Sequence, residues 1–549
     1  MCSHPESEFM KTTTITAHLV QRLRELGIDQ GFGIVGDFAL RLFGRLDDLG
    51  FPIRITADEQ GAAFAADAYA RLRGIGLVAV TYGVGGLKVA NATAGAWAEQ
   101  VPLLVVSGAP GMSERQNDPM LHHKVKTFDT QLDVFRDLTV AQAVLSEPLT
   151  ASREIDRVIS AMMREQRPGY IEVPRDMVDV PIIASDGPLE LPAPFVNEEA
   201  LAEAVRLVMA RLEGSSNAVL LAGVMAWRRG LQSHLLELAE ILELPVATTS
   251  LAKGLFPERH PLSLGVYMGA VSPHSVVKAV EGADPLLAFG ALYTDLTMGG
   301  FTAHFDLARV INCTDTRVHV GLTVFEDVPL SAFLPALLSA GRSRKNSASR
   351  DYSFIGCDFL PQAIPLTVES VFSCLEAKLD ERHGVIVEPG DSLFASVDFA
   401  GPGWCLTSGY YATMGYSVPA AIGMGKADPT LRPVIVTGDG AFLMMGLELA
   451  AAHFHGVNPV VVILDNDGYG TQRLLLDGPF NDIPTLNTER LPDVIGAGKG
   501  YLCTSQTEFW EALHAAVADG DFAIIRVKVP KNQSSEALRR LTEALAKKV

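Results

Sequence analysis

The sequence predicts an α/β protein built from three doubly wound, parallel-sheet domains, and three observations carry that prediction. The chain has 549 residues, too many for a single hydrophobic core. Short Val/Ile/Leu runs alternate along it with Ala/Leu/Arg/Glu stretches, the rhythm of βαβ units whose sheets are buried on both faces. Two stretches break that rhythm: ASDGPLELPAPFVNEEA at 184–200, rich in proline and polar residues, and SAGRSRKNSASRD at 339–351, basic and serine-rich. Linkers have this composition, and they divide the chain into 1–190, 191–351 and 352–549.

In the first block the strand candidates are GLVAVTYG (76–83), PLLVVSGAP (102–110) and GYIEVP (169–174). The second offers AVLLAG (218–223), PLLAFG (285–290) and ARVINC (308–313), and the third GVIVEPG (384–390), PVIVTGDG (433–440) and PVVVILDN (459–466). Most of these runs end in Gly, Pro, Asp or Asn, the residues that turn a strand into a loop. No residue-level repeat relates the blocks, although three blocks of similar size allow a shared topology.

Composition narrows the partners. With 45 basic and 64 acidic residues the formal charge is −19, so no basic surplus exists to neutralise the phosphates of a nucleic acid. A small-molecule ligand is expected instead. The six cysteines, Cys2, Cys313, Cys357, Cys374, Cys405 and Cys503, form no CxxC pair, which predicts a reducing compartment without a disulfide framework or structural zinc. The opening MCSHPESEFMKTTT has no apolar signal segment, and no run approaches the roughly 18 apolar residues of a membrane span. The expectation is a soluble, cytoplasmic protein without a membrane partner.

In open parallel sheets, ligands bind beyond the carboxyl ends of the strands, and two motifs sit there. TGDGAF (437–442) places Asp439 between Gly438 and Gly440, and DNDGYG (465–470) follows the next apolar run. The glycines permit a tight turn and close backbone approach. AFLMMGLELAAAHFHG reads as one helix whose N-terminus can receive a phosphate. Asp439 repels phosphate unless a divalent cation bridges them, since Mg²⁺ is commonly shared between a carboxylate and phosphate oxygens. Asp439 and Asn466 are the candidate side-chain ligands and the Gly468 carbonyl a third. A capped strand-to-helix turn is the plainer reading of GDG alone. His453 and His455 fall in the same helix and are read as structural.

The spacing of the pair, GDG followed by 25 residues (441–465) and then Asn466-x-Gly, resembles the cofactor-anchoring motif of the thiamine-diphosphate enzymes. The resemblance implies thiamine diphosphate and Mg²⁺ as cofactors, a diphosphate-binding domain over 352–549, a pyrimidine-binding domain over 1–190 and a central domain over 191–351. It implies that Gly438, Asp439, Gly440, Ala441, Asn466, Gly468 and Tyr469 hold the diphosphate end. FPIRITADEQGAAFAADAYARLRG (51–74) resembles the family segment whose glutamate, here Glu59, hydrogen-bonds the pyrimidine ring and relays a proton. GYYATMGYSVPAA (409–421) resembles the segment that bends the cofactor, with Met414 as the wedge and the Ala412 carbonyl at the aminopyrimidine. GDSLF (390–394) matches a cofactor-contacting loop and puts Asp391 near the pyrimidine amine. Glu59 and Asp439 are then expected in different subunits around one cofactor, which implies a homodimer or a dimer of dimers.

FGIVGDFALRLF (32–43), with Asp37, and LHHKV (121–125), with His122 and His123, resemble the branch that decarboxylates pyruvate, indolepyruvate and phenylpyruvate. The closest likeness is to the phenylpyruvate and indolepyruvate decarboxylases. The implied reaction is non-oxidative decarboxylation of a 2-oxo acid to an aldehyde, with the cofactor carrying the hard chemistry and the protein supplying orientation and protons. Gly31, Gly33 and Gly36 also spell GxGxxG, the dinucleotide fingerprint, but they follow an apparent helix rather than a long strand.

One departure bears on the chemistry. Where the family's decarboxylases carry a glutamate after DNDGYG, this chain has Gln472, which donates a hydrogen bond but cannot deliver a proton. Asp37, His122 and His123 remain as the relay for decarboxylation. The alternative is a carboligase, in which slow protonation diverts the reactive fragment to a second carbonyl and forms an acyloin. A third reading, from another class, is a cofactor-binding subunit without catalysis. Leu393 and Thr471 replace bulkier or longer groups of the small-substrate members, which predicts a roomy pocket and an aromatic or long-chain substrate.

Overall fold

The computed structural model describes residues 12–185, 187–191, 193–344 and 359–546. Cys2, Cys357 and the linker residues 345–351 lie outside the described residues, while Cys313, Cys374, Cys405 and Cys503 are buried free thiols. The chain forms two compact units, Met1–Ala193 and Pro194–Val549. The first holds a six-stranded parallel sheet and a two-stranded antiparallel one, and the second a six-stranded parallel sheet and a seven-stranded mixed one.

The first unit's main sheet has six parallel strands in the order Ile53–Ile55, Gly31–Gly33, Gly76–Val80, Leu103–Ala109, Gly169–Pro174, Ala141–Val144. The three strands expected from their apolar runs are its central members, buried along their whole length. The GxGxxG glycines are not a phosphate cradle here. Gly31 and Gly33 lie within a strand, and a Cβ on Gly33 would come within 2.1 Å of the Ala79 carbonyl oxygen, so these glycines serve close strand packing.

Glu59–Arg73 forms a helix for local reasons: Asp58 caps it by accepting from the Gln60 amide, Glu59 sits in the first turn, Arg71 and Arg73 in the last, and Gly74 closes it at φ 90°. Its small residues, Gly61 to Ala70, are buried almost throughout.

A buried polar knot joins the first helix, Ile15–Glu25, to Ala151–Glu165. The Asp156 carboxylate accepts from Arg22 Nε at 2.8 Å and Nη2 at 3.1 Å and pairs with His18 Nε2 at 2.9 Å. Burial alone would raise the Asp156 carboxyl, but the His18 and Arg22 hydrogen bonds outweigh it and bring it from 3.8 to about 2. Asp156→Asn removes one of two carboxylates from Arg22, which keeps Glu25 at 2.9 Å, and is expected to cost about 1–2 kcal/mol, measured as a lower urea midpoint at pH 7. Because the folded value is depressed, that contribution is complete above pH 3.8 and lost as the pH falls through about 2. The gap between variant and wild type should close over that range.

In the second unit the sheet of the third block runs Cys405–Leu406, His383–Val387, Arg432–Gly438, Val460–Asp465, Ala523–Lys528, Lys499–Cys503, all parallel. Numbered along the chain, this order (second, first, third, fourth, sixth, fifth) is that of the first unit's sheet. Two blocks therefore share a topology, as their size allows.

The central sheet differs. Its five parallel strands, Ser263–Tyr267, Val246–Thr249, Val219–Ala222, Leu286–Phe289 and Val310–Cys313, are extended by an antiparallel pair, Arg317–Val320 and Thr323–Glu326. That hairpin turns through Gly321 at φ 61° and Leu322, and a two-residue connection leaves no length for a parallel crossover. The two blocks are joined by Trp227 stacked on Trp404 at 4.5 Å and by the buried Lys253–Glu258 pair of the central block, whose Lys253 Nζ donates to the Phe399 carbonyl and whose Glu258 carboxylate accepts from the Gly401 amide at 2.6 Å. Among the described residues no helix is long and apolar enough to cross a membrane.

Candidate active site

The chain reverses direction across the third block's sheet between His383–Val387 and Arg432–Gly438, and beyond their carboxyl ends opens a cleft of about 540 Å³. Four stretches far apart in sequence meet in it. From 389–394 come Asp391 and Leu393, from the 412–414 turn Ala412 and Met414, from the GDG turn Gly438, Asp439, Gly440 and Ala441, and from 464–472 Asn466, Gly468, Tyr469, Thr471 and Gln472.

The two acidic motifs touch directly. The Asp439 Oδ2 accepts from the Gly468 amide at 3.0 Å and Oδ1 from the Gly440 amide at 2.8 Å. Gly468 has φ 141°, and a Cβ there would lie 2.2 Å from the Asn481 carbonyl oxygen, so only glycine brings this turn against Asp439. Gly440 admits the Tyr469 ring, whose Cε1 would be 2.7 Å from a Cβ. Gly468's own carbonyl accepts from the Gly470 amide at 2.9 Å, leaving a lone pair for a cation.

The electrostatics suit a cation. Burial pushes the Asp439 carboxyl up to about 6 against the pull of the Gly440 and Gly468 amides, and the neighbouring Asp465 and Asp467 push it further up. Behind it Asp465 is paired with Arg526 and with Lys528 at 3.0 Å. Asp439 is thus a half-buried carboxylate short of positive charge, a condition that a divalent ion held by Asp439, Asn466 and Gly468 would relieve.

Two local expectations change. The segment after GDG is two seven-residue helices, Asp439–Met445 and Glu448–Phe454, not one long helix, and at the break the Phe442 ring lies over Gly446, 2.6 Å from where a Cβ would stand. The dipole at Asp439 is correspondingly short. His455 lies beyond the second helix, and His453 pairs with Asp521 at 3.3 Å, a structural contact. The Asp391 carboxylate lines the cleft but is also engaged elsewhere: Oδ2 accepts from the Ser535 amide at 2.8 Å and Oδ1 from its hydroxyl at 2.5 Å, at the start of the helix Glu536–Ala546.

In the first unit, His122 Nε2 meets Asp37 Oδ2 at 2.7 Å, and the His122 ring stacks on Phe38 at 4.7 Å. The His123 ring stands edge-on to His122 at 4.8 Å. Burial raises the Asp37 carboxyl, but the His122 hydrogen bond and charge more than offset it and hold it below its usual value. His123 has φ 66°, packed against Gly83, where a Cβ would lie 2.4 Å from the His123 carbonyl oxygen. Its Nδ1 is buried without a partner among the described residues.

Glu59 lies near the same glycine run: Gly85 is close to its carboxylate, Oε1 being 3.5 Å from where a Cβ would stand. Sequence reasoning missed its partner, Lys88, whose Nζ is 3.0 Å from Glu59 Oε2 and also contacts Asp58. It also missed Leu296, Met444 and Val529 in the cleft wall. The AIIRVK pattern of strand Ala523–Lys528 was a usable signal for Val529, whereas Leu296 comes from the central block and carries none.

The comparisons agree with this geometry. Residues 13–134 match the family model of the thiamine pyrophosphate enzyme N-terminal TPP binding domain, 205–340 the central domain and 391–527 the C-terminal TPP binding domain. An indole-3-pyruvate decarboxylase of Azospirillum brasilense is 33% identical over 536 residues, covering 96% of this chain and 97% of its own. Alpha-keto-acid decarboxylases of Mycobacterium bovis and Mycolicibacterium paratuberculosis are each 32% identical, covering 97% and 94% of both chains respectively.

Proposed function

The chain belongs to the thiamine pyrophosphate enzymes, and from that premise we propose that it decarboxylates a 2-oxo acid to an aldehyde and CO₂, with an aromatic or long-chain acid as substrate. The observation that carries this reading is the convergence of the GDG turn, the Asn466–Gln472 stretch, the Met414 turn and Asp391 on one cleft. The relatives' names, indole-3-pyruvate decarboxylase and alpha-keto-acid decarboxylase, favour the same reaction.

Thiamine diphosphate fits the residues present. Asp439, Asn466 and Gly468 would hold its diphosphate through Mg²⁺, with Gly438, Gly440, Ala441 and Tyr469 around them and Ala412, Met414 and Asp391 at the pyrimidine end. When bound, the cofactor supplies the electron sink for loss of CO₂. Everything else falls to the chain. Glu59 holds and moves a proton at its carboxylate, and the Asp37–His122 pair with His123 carries protons to and from the substrate. Asp37, kept ionised, orients the His122 ring. Leu393 and Thr471 leave space beside Gln472 for a large side chain.

A product assay tests the reading. With Mg²⁺ and thiamine diphosphate, phenylpyruvate, indolepyruvate or a long-chain 2-oxo acid should yield free aldehyde and CO₂ in equal amounts, and a wide kcat/KM preference for pyruvate would overturn the substrate class. Gln472 favours a second reading, acyloin formation with an added aldehyde. Gln472→Glu restores an acid and is expected to raise the aldehyde-to-acyloin ratio by about tenfold or more. An unchanged ratio would assign protonation wholly to Asp37, His122 and His123.

Assembly belongs to the same proposal. Leu443, Met444, Leu447, Leu475, Leu476 and Phe480 are large, exposed apolar side chains on the cleft-bearing unit, the kind of surface a partner covers. We read that partner as a second copy, giving a homodimer or a dimer of dimers with active sites at the interface. Sedimentation of an active species at monomer mass would refute this. We place the domain boundaries at 190/191 and 351/352, and the protein in the cytoplasm.

A further inference from the structure

Glu388 follows strand His383–Val387 and is fully buried, yet among the described residues no cation pairs with it. Its Oε1 accepts from the Gly415 amide at 2.7 Å and the Tyr416 amide at 3.2 Å, and its Oε2 from the Ser417 amide at 3.0 Å. These amides open the helix Ser417–Ala427, where the chain itself offers no acceptor and the helix dipole favours a negative charge. Burial pushes the Glu388 carboxyl up, and the Ser417, Gly415 and Tyr416 bonds pull against it.

The backbone of Glu388 is tied as firmly. Its N–H donates to the Val436 carbonyl at 2.9 Å, on the strand that ends in GDG. Its carbonyl accepts from the Ser392 hydroxyl at 2.7 Å, in the GDSLF loop. One residue outside the cleft lining therefore joins three of its walls. The wall held by the side chain needs holding: Ala412 at φ 57° and Gly415 at φ 86° are both left-handed, a costly conformation for alanine.

We propose that Glu388 is the positioning residue of this cleft, its carboxylate setting the 412–417 turn so that the Ala412 carbonyl and the Met414 side chain meet the aminopyrimidine of thiamine diphosphate. This rests on the cofactor reading above. Glutamine at 388 keeps the shape but offers one acceptor oxygen in place of two, so one or two of the three amides lose their partner.

Two measurements on the full-length protein test it. In Glu388→Gln, the Kd for thiamine diphosphate with Mg²⁺ should rise about tenfold or more, while kcat at saturating cofactor falls less. In the wild type before cofactor is added, hydrogen exchange should find the Gly415, Tyr416 and Ser417 amides slow, although helix-opening amides ordinarily exchange fast. Fast exchange at all three overturns the proposal even if the variant fails to fold. A variant that binds cofactor as tightly as the wild type overturns the Glu388 assignment alone. A wild type that does not bind thiamine diphosphate overturns the cofactor reading with it.

Discussion

Glu59→Gln is expected to slow turnover by about 10²–10⁴-fold, the range that a positioned proton-transfer group contributes, while the fold and the affinity for Mg²⁺ are kept. Glutamine fills the same space beside Gly85 and can still hydrogen-bond, but it has no proton to exchange at physiological pH. Lys88 stays paired with Asp58 in the variant, as it does now, so no cation is stranded and the melting temperature should move little. The check is kcat at saturating cofactor, together with the rate at which the C2 proton of bound thiamine diphosphate exchanges with deuterium. Both should fall together. A variant within threefold of wild type in both would remove Glu59 from the chemistry and leave it as a first-turn acid that only favours the helix dipole.

Asp439→Asn is expected to weaken Mg²⁺-dependent cofactor binding by more than about 100-fold, since outer-sphere changes alone cost 10–100-fold at metal sites. The substitution keeps one oxygen to accept from Gly440 or Gly468, so the turn survives, but it removes the charge that recruits the ion. Neighbouring carboxylates do not make up the loss: Arg526 and Lys528 neutralise Asp465, and Lys528 also reaches Asp467 at 3.0 Å. Titration calorimetry of the cofactor at fixed Mg²⁺ measures the effect, with near-native circular dichroism showing that the fold is retained. Retained tight binding would move the cation away from the GDG turn.

Glu59 and Asp439 lie in motifs that stand out in the chain, and the reason they stand out is physical. A divalent ion and a diphosphate demand a carboxylate, an amide oxygen and small residues in fixed order at two adjacent strand ends. TGDGAF and DNDGYG satisfy that demand within two short stretches. The central strands were legible for a similar reason: a parallel strand buried on both faces is a continuous apolar run, as in Val460–Asp465. Gly31–Gly33, Ile53–Ile55 and Cys405–Leu406 are only two or three residues long, too short for any periodicity, and their pairing is decided by neighbouring strands.

The sequence by itself determined the fold class, the cofactor motifs and the likeness of Asp37, His122, His123 and Glu59 to a decarboxylase set, because each depends on residues close together or in fixed spacing. Only the tertiary structure decided that Lys88 stands against Glu59, that Asp391 is engaged by Ser535, that Leu296 and Val529 wall the cleft, and that Glu388 fastens three of its sides. These contacts join segments up to hundreds of residues apart. A buried carboxylate such as Glu388 is placed by the donors that surround it, and those donors are backbone amides, which no side-chain pattern reveals.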